Sequence, residues 1–243
     1  LTQNALSAAG EATEAAEPNK PMKPEKKWSL PTYTRGEELF SMITHIVGGG
    51  LGLVAMIACV IVAAFHHNVW GVVSGCIYGF CVILLFTMSS IYHGLRVELP
   101  KRVFQIIDHC TIFVLIAGTY TPIVLSQFRR IYPGDAWVMF SVIWALAVTG
   151  IVLNSIDLKR FKTFSLVCYL GMGWMAVFKI DRLVEVLGAP FFIMILTGGI
   201  LYSIGVVFYV WGKKKRFMHS VFHLFVNAAS ILHSVAIIVF VMP

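Results

Sequence analysis

Seven apolar stretches of about 20 residues or more follow one another through this chain, at approximately 39–65, 70–95, 103–127, 136–155, 161–180, 190–210 and 217–241. A helix of that length crosses the ~30 Å hydrocarbon core of a bilayer. Strands of a membrane barrel would run about 10 residues with strict alternation, a pattern these stretches lack. Of the 243 residues 58% are hydrophobic and 13% are charged, against roughly 25% charged in a soluble domain. A water-soluble globule is thereby excluded. The predicted fold is an all-α membrane protein, a seven-helix transmembrane bundle over residues 37–243. Residues 1–36 are rich in Ala, Glu, Pro and Lys and read as a disordered cytosolic tail. No apolar core of a cleavable signal peptide is legible in residues 1–38. Cys59, Cys76, Cys81, Cys110 and Cys168 all fall inside apolar stretches and are odd in number, which points to buried hydrophobes rather than a disulfide framework.

Orientation follows from the basic residues, because connectors rich in Lys and Arg stay in the cytosol. The tail and the second, fourth and sixth connectors hold 15 of the 19 Lys and Arg, including Lys101, Lys162 and the run Lys213–Arg216. Arg129, Arg130, Lys179 and Arg182 fall on the other side. The amino terminus is therefore expected inside and the carboxyl terminus outside, in a multi-pass protein of the cell membrane. The net charge of +7 needs no nucleic acid to explain it. A basic inner face beside anionic headgroups accounts for it, so the expected partners are membrane lipids.

Once the stretches are placed, Asp108 is the one acid left inside any of them. It sits about five residues into the third, roughly 7.5 Å from the cytosolic end at 1.5 Å per residue. A carboxylate at membrane depth costs on the order of 2.5–3.5 kcal/mol at a helix centre. An interfacial cap is one reading, but other polar groups share its level. The second stretch ends inward at Ser89, Ser90 and His93, and the seventh starts inward with His219 and His223. The two histidines of the seventh are four apart, which stacks both imidazoles on one helical face. With His93 from another helix they make the three-ligand set that catalytic zinc favours, with zinc preferred over copper or iron. Asp108 would then hold water and accept its proton, and Ser89, one turn before His93, would bond that water or a substrate carbonyl. His45 belongs to a polar stripe on the first stretch and is either a supporting hydrogen-bond partner of the ligands or an interhelical contact. His233 lies about 15 Å beyond His223, too far to share the metal, and reads as an interhelical contact. His109, one step from Asp108, is expected to face elsewhere.

The set Ser89 to His93, Asp108 and His219 to His223 resembles the hemolysin III family, the bacterial branch of the progestin and adipoQ receptors. So do the run from Asp108 through Pro122 and the first-stretch residues Glu38, Ser41, Thr44 and His45. The resemblance implies a seven-helix bundle with its amino terminus in the cytosol. It also implies zinc on His93, His219 and His223, with a water held by Asp108 and Ser89. Alkaline ceramidases in the wider superfamily hydrolyse lipid amides, other relatives are receptors, and the bacterial branch is named for haemolysis. Two classes of function follow: a zinc-dependent hydrolase of membrane lipid amides or esters, and a non-enzymatic sensor or receptor-like protein with structural zinc. A membrane-permeabilising role is the weakest version, since the spans lack a continuous charged lining.

Overall fold

The computed structural model describes residues 30–212 and 214–243; the expected tail up to residue 29 and the basic Lys213 lie outside the described residues. The described residues are almost wholly helical and contain no strand. Helix α1 runs Arg35–Phe65, α2 Val69–Gly94, α3 Glu98–Ile123, α4 Pro133–Asp157, α5 Lys162–Gly173, α6 Ile180–Trp211 and α7 Met218–Ala236.

Helix α1 starts four residues before its apolar stretch because a capping box closes there. The Glu37 N–H donates to Thr34 Oγ1 at 3.3 Å and the Thr34 N–H donates to Glu37 Oε2 at 2.8 Å, which satisfies two end donors reciprocally. At the start of α2, Asn68 Oδ1 accepts the Gly71 N–H at 2.9 Å. Helix α3 also starts early, at Glu98, where Glu98 and Arg102 pair across one turn. Asp108 is thus ten residues into its helix, about 15 Å along it, rather than the five expected. Pro122 removes a rung of the α3 ladder, and the chain loosens into a π turn, Val124–Phe128, before the closing turn Arg129–Ile131.

In the bundle α1 touches α2 and α7, α3 lies against α2, α4 and α5, and α6 against α7. Gly52 lets α1 and α2 meet closely, since a Cβ there would lie 2.7 Å from Val82 Cγ1. Large apolar side chains such as Val54, Ile57, Val138, Ile193 and Val207 point outward and are exposed. In water they would form an untenable patch; in lipid they are the natural outer surface.

Six helical stretches among the described residues are long and apolar enough to cross a membrane. Where the sequence predicts two spans, at 161–180 and 190–210, there is one stretch of 50 residues, Lys162–Trp211. As a straight helix it would extend about 75 Å. It doubles back instead: the Trp174 indole N–H donates to Ser203 Oγ at 3.1 Å, and the Lys162 ammonium lies 5.4 Å from the centre of the Tyr209 ring. The 3-10 turn Met175–Lys179 follows α5, and Gly188 interrupts α6 with φ 84° and ψ 159°, backbone that only glycine adopts readily.

Candidate metal centre

The start of α1, the end of α2 and the start of α7 meet at one end of the bundle, and that meeting brings three histidines from two helices together. His93, His219 and His223 are buried, and their ligand nitrogens all lie within 4.8 Å of one another. His223 Nε2 is 3.1 Å from His93 Nε2 and 3.0 Å from His219 Nε2. Tetrahedral coordination with nitrogen about 2.0–2.1 Å from a zinc ion sets neighbouring ligands about 3.3 Å apart, close to this spacing. Without a cation, three mutually facing buried nitrogens would share too few protons to satisfy one another. The donor set therefore fits a metal ion of imidazole preference.

The opposite ring nitrogens are consistent with that fit. His93 Nδ1 is 2.6 Å from Glu38 Oε2, and His223 Nδ1 is 2.6 Å from His45 Nε2. With protons on both Nδ1 atoms, both Nε2 lone pairs face the cluster. His219 Nδ1 is buried with no protein partner among the described residues, while the Tyr33 ring stacks on its imidazole at 4.7 Å and 19°. Burial pushes the Tyr33 phenol well above its usual pKa, so it stays neutral beside the histidines.

Asp108, Ser89 and His45 line a cleft together with His219 and His223. Ser89 sits one turn before His93 and its hydroxyl, near the Asp108 carboxylate, is buried without a bond of hydrogen-bonding geometry. A polar atom left open at that place is suited to a ligand or water. The cleft has a cavity volume of about 160 Å³ and is walled by apolar residues of α3, α5, α6 and α7. Its lining on α3 extends from Asp108 to Tyr120, about 18 Å along the helix. Tyr120 and Tyr169 hold the far wall in place: the Tyr169 hydroxyl donates to the His109 carbonyl at 2.7 Å, and the Tyr120 hydroxyl donates to the Gly173 carbonyl at 3.1 Å.

Two expectations about neighbours change. His109 does not face away, since its Nδ1 lies 3.4 Å from Asp108 Oδ2 and its ring lines the same cleft. The ring folds back one helical turn, with Nδ1 2.8 Å from the Gln105 carbonyl and within reach of Asp108. Asp108 is also not the only acid at this level. Glu37 and Glu38 lie in the first turn of α1, and Glu38 reaches both His93 and the buried Lys101. The signal for them is Thr34 three residues before Glu37, a capping-box pattern that starts the helix at 35 and brings both acids into it. His233 is apart from the cluster, with Nε2 3.0 Å from the Ile195 carbonyl on α6.

Membrane-crossing helices around a buried histidine cluster define an integral membrane protein with a candidate metal centre. The sequence profile described as Haemolysin-III related matches residues 33–234. Over 207 residues the chain is 36% identical to Hemolysin-3 of Bacillus cereus, covering 85% of this chain and 93% of that protein. It is 37% identical over 198 residues to the Hemolysin-3 homolog of Bacillus subtilis (strain 168), covering 82% and 91%. A more distant likeness, 25% over 190 residues with 75% and 76% covered, is to the human Monocyte to macrophage differentiation factor. No solved structure matches the chain. The chain belongs to the haemolysin III family and is a multi-pass protein of the cell membrane.

Proposed function

We propose that this protein is a zinc-dependent hydrolase of membrane lipid amides or esters. The observation that carries the reading is the apolar cleft that begins at Asp108, Ser89 and the histidine cluster and extends along α3. His93, His219 and His223 would hold the ion. Zinc, when bound, supplies Lewis acidity toward a carbonyl and lowers the pKa of adjacent water. The cleft admits an acyl chain from the bilayer and keeps bulk water from the reacting carbonyl. Asp108 takes a proton from the water that adds to the carbonyl carbon. The Ser89 hydroxyl donates to the carbonyl oxygen as it gains charge. The C–N or C–O bond then breaks, the proton passes to the departing amine or alcohol, and a fatty acid remains.

The reading includes seven crossings with the amino terminus inside. The fold-back of Lys162–Trp211 around Gly188 supports counting that stretch twice, and the distribution of basic residues supports the orientation. The metal end then lies on the cytosolic side.

Zinc-loaded protein incubated with a panel of lipid amides and esters is expected to release fatty acid. Asp108→Ala should lower turnover by about 10²–10⁴-fold, the usual contribution of a general base, while zinc content is retained. Undiminished turnover in that variant would remove the mechanism. A second reading, a sensor or receptor-like protein stapled by structural zinc, draws on the way His93, His223 and His45 tie α2, α7 and α1 together. No turnover on any lipid, with a thermal midpoint that falls when zinc is removed, would favour it.

A further inference from the structure

We infer that Glu38 and Lys101 form a buried positioning pair that fixes His93 for metal binding, an inference that rests on the metal reading of the histidine cluster. Glu38 Oε2 lies 2.6 Å from His93 Nδ1 and Glu38 Oε1 lies 2.7 Å from Lys101 Nζ. A carboxylate only accepts, so Nδ1 carries the imidazole proton and Nε2 turns its lone pair toward His223. An anionic acceptor behind a ligand imidazole holds its tautomer and raises its basicity.

Lys101 is what holds that acceptor in place. It is buried, and its ammonium also donates to the Tyr92 carbonyl at 3.1 Å and the Leu95 carbonyl at 3.0 Å. These carbonyls belong to the last turn of α2 and the residue after it, where unpaired carbonyls and the negative end of the helix dipole favour a cation. All three ammonium protons are engaged. The end of α2 that carries His93 is thereby tied to α3 through Lys101 and to α1 through Glu38. Either charge alone would be costly in this buried setting, and each offsets part of the other's desolvation.

The three ligands are supported unequally. His223 rests on the His45 ring, and His219 Nδ1 has no protein partner among the described residues. His93 is the ligand with an anion behind it, and Lys101, which acts through Glu38, belongs to the metal site without being a ligand.

The test measures zinc affinity of the purified full chain by chelator competition, and the absorption spectrum of its cobalt form. Glu38→Gln keeps the size and a hydrogen-bond acceptor but loses the charge, and should weaken zinc binding about 10–100-fold and alter the cobalt spectrum. Lys101→Met should weaken it about 10-fold. Because Lys101 acts through Glu38, the double variant should bind no more weakly than Glu38→Gln alone. Zinc affinity of Glu38→Gln within twofold of the unsubstituted protein, or additive losses in the double variant, overturns the pair. If Glu38→Gln fails to fold, Glu38→Asp retains the charge one methylene short and should lose affinity severalfold; unchanged affinity there overturns the proposal equally. Failure of the metal reading is separate: His219→Ala and His223→Ala would then bind zinc as tightly as the unsubstituted chain.

Discussion

Ser89 and Ser234 are both buried serines, yet their hydroxyls have opposite surroundings. Ser234 Oγ is 2.7 Å from the Tyr78 hydroxyl, whereas Ser89 Oγ, beside the Asp108 carboxylate, has no partner in hydrogen-bonding geometry among the described residues. Removing the Ser89 hydroxyl takes one neighbour from the Asp108 carboxylate, which keeps His109 Nδ1 at 3.4 Å, while removing the Ser234 hydroxyl strands its partner at about 1–3 kcal/mol. Ser89→Ala should therefore leave the thermal midpoint nearly unchanged and lower lipid turnover on the order of 10²-fold. Ser234→Ala should lower the midpoint and spare turnover. Loss of stability in Ser89→Ala with full activity would assign that hydroxyl to packing. At this scale the sequence was informative where depth and spacing act together: His219 and His223 share a face by their four-residue spacing, and His93 matches their level. Glu38 was harder to place because its role depends on side chains 55 and 63 residues away.

At the scale of elements, the first turn of α1 organises more than its own helix. Glu37 Oε2 accepts from Thr34, and Oε1 accepts the Phe217 N–H at 2.6 Å. Phe217 has φ 62° and precedes α7, a left-handed conformation unfavourable to a bulky residue. The carboxylate thus pins the turn from which His219 projects two residues later. Glu37→Gln should cost about 1.5–3 kcal/mol, the range for bonds to a charged acceptor, read as a lower unfolding midpoint; no change would show that the turn holds itself. Gly188 is the other element-scale device. Its φ of 84° and ψ of 159° suit glycine alone, and Gly188→Ala should destabilise the fold by about 1–3 kcal/mol. The separate apolar stretches 161–180 and 190–210 anticipated a break here, and Gly188 falls in the connector between them. The capping box at Thr34 was equally local, but its reach to Phe217 was not.

For the whole molecule, the number of crossings has a parity consequence. Seven crossings put residues 30 and 243 on opposite sides of the membrane, and six put them on the same side. Topology reporters fused before α1 and after residue 243 should report cytosol and exterior respectively; the same compartment for both would reduce the fold-back of Lys162–Trp211 to a single crossing. A reporter in the basic connector before α7 should read cytosol.

Apolar length by itself determined that this chain is a set of membrane helices, because in hydrocarbon a backbone must satisfy its own hydrogen bonds. Ionisable residues at depth likewise marked His93, Asp108, His219 and His223, since burying such groups is too costly to be incidental. Only the tertiary structure decided that Glu38 stands behind His93, that Lys101 is buried against it, and that His109 turns into the cleft. Those pairings depend on how helices distant in sequence are rotated and offset against one another. Hydropathy is summed along one helix and carries no record of that rotation; the packing of several helices fixes it.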